Sequence, residues 1–440
     1  MKASTILFAV RAKGVGAFLR RARSLVGKYG VTSRKMDRSL GMFSELLEQF
    51  GCGASFPLTT VALERNSDAI TKYLDRNIEF AVHGYTHVDY SQLAPEEQLT
   101  HLRLARQIFS NFGIEAVGFR SPYLRRSDQL YATIASAGFS YVSNQPVMWN
   151  VLDRSTFVPA DYESYERALV FYAPWQASER LSLPQLCSGP QLDSGLVEIP
   201  VSLPDDEMLL DRLGGENSDL VEKVWGSILT ETYQRGELFT IQLHPERIAG
   251  CAQGLSTVLS QARHFSPPVW FARLDEIAAW WKARAAATVR VEDIGQGQLK
   301  VFVQGPPGTT VLARAVQVDA PVAPWCDGYQ QIEERSFVLQ ADSRPFIGLA
   351  SYCSPDLNKF LREQGYIVEI SQERQLYSYY FDQTEFAAEQ GLSLLAQIEE
   401  TDQPLVRLGR WPDGAHSALA ITGDIDALTL WDYGLRLVGR

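Results

Sequence analysis

From about Val31 to Ala286 the chain alternates amphipathic, helix-like stretches with short runs that are apolar on both faces. This alternation constrains the fold more than any other feature. Strands buried on both faces and separated by helices belong to parallel sheets, because each parallel crossover needs a helix and that helix covers the sheet. Strand-like runs fall at Ala54–Leu58, Ile78–Val82, Glu115–Phe119, Ser140–Ser143, Leu196–Val201 and Leu238–Leu243. Helix-like stretches fall at Leu40–Phe50, Asp68–Arg76 and Pro95–Phe112, the last with its proline near the start, where a missing N–H costs nothing. So many βα units predict an α/β barrel rather than an open sheet.

The pattern changes near Ala287. Residues 287–345 read as short alternating strands split by Gly295, Gly297 and Gly305-Pro306-Pro307-Gly308, which predicts a small, β-sandwich-like antiparallel module. Residues 346–414 read as an α/β connecting segment, with helices at Asp356–Gly365 and Glu385–Glu400 and a strand at Tyr366–Ile370. Trp411-Pro412-Asp413-Gly414 forms a turn signal, and a buried strand, Ser417–Thr422, and a helix, Ala427–Leu437, return to the βα pattern. A length of 440 residues suits two or three domains. The expected division is a barrel of 1–286 plus 415–440, the module, and the connector.

With 41 basic and 52 acidic residues the net charge is −11, which disfavours a phosphate backbone as main ligand. The basic stretch Arg11–Arg38 reads as the solvated face of an N-terminal helix. No run reaches the roughly 20 apolar residues that a membrane span needs. Five widely spaced cysteines without a C-x-x-C pair argue against a disulfide framework and a cysteine zinc site. A cytoplasmic protein, compatible with a homo-oligomer, is the expectation.

Two of the six histidines stand just after a predicted strand, in His83-Gly-Tyr-Thr-His87. One helical turn would put both imidazoles on the same face, ready for a divalent metal. A zinc-protease helix would carry glutamate after the first histidine, where Gly84 stands. A loop-to-helix turn at the carboxyl edge of a sheet therefore fits better. Phe119-Arg120-Ser121-Pro122-Tyr123, Glu198 to Asp206 and Leu243-His244-Pro245 likewise follow strands, where parallel α/β folds collect their sites. Asp424 and Asp426, in Thr422-Gly-Asp-Ile-Asp, follow the last strand; alone they would read as a helix cap.

Together these motifs resemble the polysaccharide deacetylase family, also called the NodB-homology or carbohydrate esterase family 4 fold. His83 and His87 are similar to its histidine pair, although Gly84 replaces the usual Ser or Thr. Arg120-Ser121-Pro122-Tyr123 resembles its arginine-proline groove motif, with Ser121 in place of the commoner proline, and Leu243-His244 resembles its late leucine-histidine motif. The family's aspartate motif should lie upstream of Leu40; here its D-x-D form stands at the far end of the chain. The resemblance therefore implies a distorted (β/α)7 barrel that is circularly permuted, with a small β-rich module inserted. In a closed barrel the first and last strands are neighbours, so Ser417–Thr422 would slot between Leu238–Leu243 and Ala54–Leu58.

The implied activity is metal-dependent hydrolysis of N-acetyl groups on a polysaccharide or oligosaccharide. Asp426, His83 and His87 would hold the metal, zinc first, with cobalt or nickel also compatible. Asp424 would act as general base, His244 would protonate the leaving amine, and Arg120 would orient the base. Asp205 or Asp206 would tune His244. Tyr85, Pro122, Tyr123 and Trp175 would line the sugar site. Two other functions compete: a metal-dependent hydrolase of a small cyclic imide or amide, and a non-catalytic carbohydrate-binding barrel. His101, His264 and His416 receive no role and read as surface or helix-face residues.

Overall fold

A computed structural model describes residues 28–187, 195–214 and 218–436. Most of the basic stretch Arg11–Arg38 lies outside the described residues. The first helix, α1 (Arg34–Gln49), buries Met36, Leu40, Phe43 and Leu47 along one stripe. It leads to β1 (Ala54–Leu58) and β2 (Ile78–Val82), both buried along their whole length. The helix expected over Asp68–Arg76 is shorter, Ser67–Thr71, and tight turns carry Tyr73 to Arg76 while still burying Ile70 and Tyr73. Then come α2 (Pro95–Asn111), β3 (Gly118–Phe119), α3 (Asp128–Ser136), β4 (Tyr141–Val142) and β5 (Val197–Glu198). The half ends with α4 (Ser218–Gln234), β6 (Leu238–Gln242), α5 (Ile248–Arg263), β7 (Val269–Phe271) and α6 (Leu274–Ala285). The tail supplies β8 (Ser417–Thr422) and α7 (Leu430–Arg436).

Nine strands form one curled sheet: seven parallel strands in the order β6-β8-β1-β2-β3-β4-β5, β7 paired with β8, and Gln185–Leu186 as an antiparallel edge on β5. β8 runs in register with β6 from Leu238 opposite Ala418 to Gln242 opposite Thr422. Its other flank meets β7 at Ser417 to Leu419 and β1 at Thr422. The sheet is a half-barrel rather than the closed barrel expected: among the described residues no backbone ladder joins β5 to β6. The run expected to be one strand, Leu196–Val201, is broken at Pro200, which has no N–H to give. Beyond it Val201–Leu203 pairs with Pro146–Met148 in a separate three-stranded sheet.

The β-rich part consists of two four-stranded sheets. Thr288–Gly295, Gln298–Gln304, Ser336–Gln340 and Gln317–Asp319 form one; Val322–Pro324, Gln330–Ile332, Val311–Arg314 and Leu405–Leu408 form the other. Leu405–Leu408 belongs to the stretch expected to be a connector, so the second sheet draws on both segments. That stretch also builds a parallel sheet of Val368–Ile370, Arg344–Leu349 and Tyr377–Phe381, with helices Pro355–Glu363 and Gly391–Glu399. One buried cluster joins it to the curled sheet through Leu238, Ile277 and Trp281 on one side and Ile347, Tyr366 and Trp411 on the other.

Candidate active site

Loops leaving β2, β3, β6 and β8 ring a cavity of about 930 Å³ at the carboxyl edge of the curled sheet. β8 keeps pairing with β1 past its end: Gly423 N–H donates to Ser55 and Ile425 N–H to Pro57. Extended backbone sends alternate side chains to the same side, so the D-x-D spacing turns Thr422, Asp424 and Asp426 inward together. Gly423 lies too close to its neighbours for any side chain, since a Cβ would stand 2.7 Å from the Leu243 carbonyl and 2.8 Å from the Phe56 ring. On β2 the His83 N–H still donates to Leu58. Gly84 then takes φ +84°, and a Cβ there would meet Thr86 and Tyr90 at 2.8 Å. Glycine rather than Ser or Thr at this position follows from that bend.

His83 Nε2, His87 Nε2 and Asp426 Oδ1 converge. Asp426 Oδ1 stands 3.2 Å from the first nitrogen and 3.3 Å from the second, and all three ligand atoms lie within 4.8 Å of one another. The His83 Nδ1 sits 2.9 Å from the Arg120 carbonyl, which fixes the proton there and leaves the Nε2 lone pair facing Asp426. Asp426 Oδ1 is buried and makes no well-formed hydrogen bond. Two imidazole nitrogens, one of them oriented from behind, and a carboxylate oxygen without a hydrogen-bond partner fit a zinc-type ion with open positions. Burial alone would raise the Asp426 carboxyl, but Arg436 and then His87 hold it well below the usual carboxylate range. Burial pushes the His87 imidazole down to about 4, so it stays neutral, as a ligand must be.

Asp424 is held at both oxygens, by Arg120 Nη1 at 2.8 Å and by Gln242 Nε2 at 2.9 Å. Arg120 is fully buried and also donates to Thr422 Oγ1 and Ser143. His244 stands across the cavity with its Nδ1 2.8 Å from Asp206 Oδ1, while its backbone N–H donates to Asp206 Oδ2. Burial lowers the His244 pKa, but the Asp206 charge more than reverses this and carries it to about 10. Asp206, not Asp205, is thus the partner; Asp205 accepts from the Met208 N–H, and burial beside Asp206 lifts its carboxyl to about 7.

The sugar-site residues expected from sequence separate. Tyr123 lines the cavity, its ring edge-on to His87 at 4.7 Å, from a left-handed backbone with φ 62°. Tyr85, Pro122 and Trp175 are not among the lining residues. Tyr85 packs on His101, Pro122 is buried in the turn that aims Tyr123, and Trp175 pairs with the Pro146–Met148 strand under Arg180. Two residues were missed. Gln242 lies two positions before His244 and so shares its side of β6, a period-two signal that was available. Arg436, on α7, sets Nη1 2.5 Å from Asp426 Oδ2 and Nη2 3.2 Å from His87 Nε2; no motif marks it.

This is an α/β protein with a curled sheet that carries a His-His-Asp group and a buried Arg–Asp pair at its carboxyl edge. Residues 40–142 match the family model described as polysaccharide deacetylase. The chain is similar to the peptidoglycan deacetylase-like protein FGM2 of Gibberella zeae, with 25% identity over 250 residues, 51% of this chain and 66% of that protein. The match therefore spans just under two thirds of the relative's length. Among solved structures it is similar to a putative polysaccharide deacetylase from Mycobacterium smegmatis, at 18% identity and a TM-score of 0.42, covering 62% of this chain and 82% of that one. A probable polysaccharide deacetylase from Pseudomonas aeruginosa PAO1 gives 19% identity and a TM-score of 0.43, covering 55% and 72%.

Proposed function

We propose that this chain is a metal-dependent deacetylase that removes N-acetyl groups from an amino-sugar polymer or oligomer, on a circularly permuted NodB-type sheet. The observation that carries the reading is the convergence of His83, His87 and Asp426 beside the Arg120–Asp424 pair, from motifs at opposite ends of the chain. The position of β8 between β6 and β1 supports the permutation. A zinc, cobalt or nickel ion on the three ligands would supply Lewis acidity toward the acetyl carbonyl and a water of lowered pKa. Asp424, fixed by Arg120 and Gln242, is oriented to take a proton from that water. His244, kept protonated by Asp206, is the acid for the departing amine. Tyr123 offers a wall for a sugar ring beside the reacting centre.

The test is acetate release from N-acetylglucosamine oligomers and from peptidoglycan, with metal content measured on the same samples. Wild type should bind about one ion in this group and release acetate. Asp424→Asn should keep the ion and lose activity, whereas His83→Ala with Asp426→Ala should lose both. Absence of metal after reconstitution, or full activity without it, would refute the proposal. Arg436 lends weight to a second reading, a non-catalytic carbohydrate-binding barrel, because its guanidinium already balances the Asp426 charge. Oligomer binding without metal or acetate release would favour that alternative.

A further inference from the structure

A second convergence of ligand-type side chains lies at the opposite end of β8 from the cavity's chemistry, where the β-rich part meets the curled sheet. Cys326 and Asp327 occupy the turn between Val322–Pro324 and Gln330–Ile332, which Trp325 and Tyr329 close by backbone hydrogen bonds. His416 is the residue before β8, and its N–H donates to the Pro268 carbonyl. Ninety positions of sequence separate Cys326 from His416, yet Sγ stands 3.4 Å from Nδ1. The ligand atoms of Cys326, Asp327 and His416 all lie within 4.8 Å of one another. His416 was expected to be a surface residue without a role. Instead it is half-buried, with the rings of Tyr233 and Trp325 edge-on at 4.9 Å and 5.2 Å.

We propose that Cys326, Asp327 and His416 form a zinc site, separate from the His83–His87–Asp426 group, that ties the β-rich part to the start of β8. A zinc ion bound at about 2.3 Å to sulfur and about 2.0 Å to nitrogen in tetrahedral geometry sets those two atoms roughly 3.5 Å apart, which is the spacing found. The imidazole presents Nδ1 to the sulfur, and the Tyr233 and Trp325 rings pack edge-on against it. A cysteine binds zinc as its thiolate. Binding therefore releases the thiol proton, and one thiolate plus one carboxylate balance the two charges of the ion. Arg407 and Arg410, the cations that act on His416, are already engaged, Arg407 by Glu399 and Arg410 by the Arg235 carbonyl. The fourth position is left for water. Such a clamp holds the entry of the strand whose far end delivers Asp424 and Asp426.

Sulfur makes this site separable from the other, whose ligands are nitrogen and oxygen only. The full chain is titrated with Co²⁺, and the thiolate-to-cobalt charge-transfer absorption is followed in the near ultraviolet. Wild type should develop the band to one equivalent, and Zn²⁺ should bleach it. The double variant His83→Ala, His87→Ala should keep the band. Cys326→Ser should lose it, and His416→Ala should weaken Co²⁺ binding at least tenfold. Asp327 is exposed, so Asp327→Asn leaves the fold intact; it should weaken binding by a similar factor even where the Cys326 variant fails to fold. A wild type without the band at several equivalents of Co²⁺ would overturn the proposal, and so would a band that persists in Cys326→Ser or an Asp327→Asn affinity equal to wild type.

Discussion

Asp206 decides the charge that His244 carries. With Asp206 in place the imidazole stays protonated to about pH 10, although burial and Arg247 both oppose it. In Asp206→Asn burial and Arg247 outweigh the smaller raising influence of Glu246, so the pKa falls below the ordinary 6.5 and the ring is neutral at pH 7. A neutral imidazole cannot serve as the acid. Acetate release at pH 7 should drop roughly 10²- to 10⁴-fold, with partial recovery as the pH is lowered. The sign for stability follows from the same shift. Between the unfolded pKa of about 6.5 and about 10 the folded state holds a proton that the unfolded chain has released, so the His244–Asp206 contribution declines across that range as pH rises. An Asp206→Asn pH–rate profile that matches wild type would remove His244 from the acid role. Arg436 poses the opposite problem, a cation seated where another cation would bind. Releasing a charge-assisted contact to a buried carboxylate is worth roughly 1.5–3 kcal/mol, so Arg436→Ala should tighten zinc binding about 10- to 100-fold by calorimetric titration. Weaker binding would mean that Arg436 holds Asp426 in position rather than competing for it.

Among the elements, β5 shows what a short strand can bury. Glu198 ends it with its carboxylate fully enclosed, accepting from the backbone N–H groups of Asn144 and Gln145 and from the Tyr131 hydroxyl. Burial outweighs these donors and lifts its pKa to about 7. An unfolded glutamate titrates near 4.3, so the fold holds the extra proton between the two values and loses stability as pH rises through that window. Glu198→Gln removes the ionisation and keeps an acceptor for both amides. Its melting temperature should exceed that of wild type at pH 8, by an amount equivalent to on the order of 2 kcal/mol, and converge with it near pH 4. Parallel melting curves across that range would refute the assignment. The neighbouring strands also mark how far sequence could be read. β1, β2, β6 and β8 are mostly apolar and buried along their whole length, and their limits match the expected ones within a residue. β3, β4 and β5 shrink to two residues each, because the parallel ladder there is cut short by loops that turn Arg120, Ser143 and Glu198 toward hydrogen bonds. Pattern reports burial, and these positions are as buried as a full strand. The His83, His87, Asp424 and Asp426 motifs were legible because each follows an apolar strand. The choice between Asp205 and Asp206 was not, since it depends on how the chain turns after Leu203, and neither was the meeting of Cys326 with His416 across ninety positions.

At the scale of the molecule, the ligand group exists only if β8 is brought from the end of the chain to the centre of the sheet. Trp411 is the anchor for that approach. It is fully buried, its ring 5.5 Å from Trp281 and 6.1 Å from Trp270, and its indole N–H donates to the Gly236 carbonyl at 3.0 Å. The turn that follows, closed by the Ala415 N–H on Pro412, feeds directly into His416 and β8. Trp411→Ala removes a large side chain from an interface that cannot collapse around it, at a cost of roughly 3–5 kcal/mol. Trp411→Phe keeps most of the packing and loses mainly the hydrogen bond, about 1 kcal/mol. The two losses should not spread evenly. β1 and β2 pair with each other over five residues and share the α1 core, whereas β8 meets β1 in register only at Thr422. β8 takes the rest of its ladder from β6 and β7, which Trp411 braces through Gly236 and Trp270. Hydrogen exchange should therefore show Ser417 to Asp426 losing protection in Trp411→Ala before β1 and β2 do, and metal affinity should fall with it, because Asp426 rides on the loosened strand while His83 and His87 do not. Trp411→Phe should leave both nearly unchanged. Equal loss of protection in β1, β2 and β8 would instead make the sheet a single cooperative unit, with Trp411 acting on global stability alone.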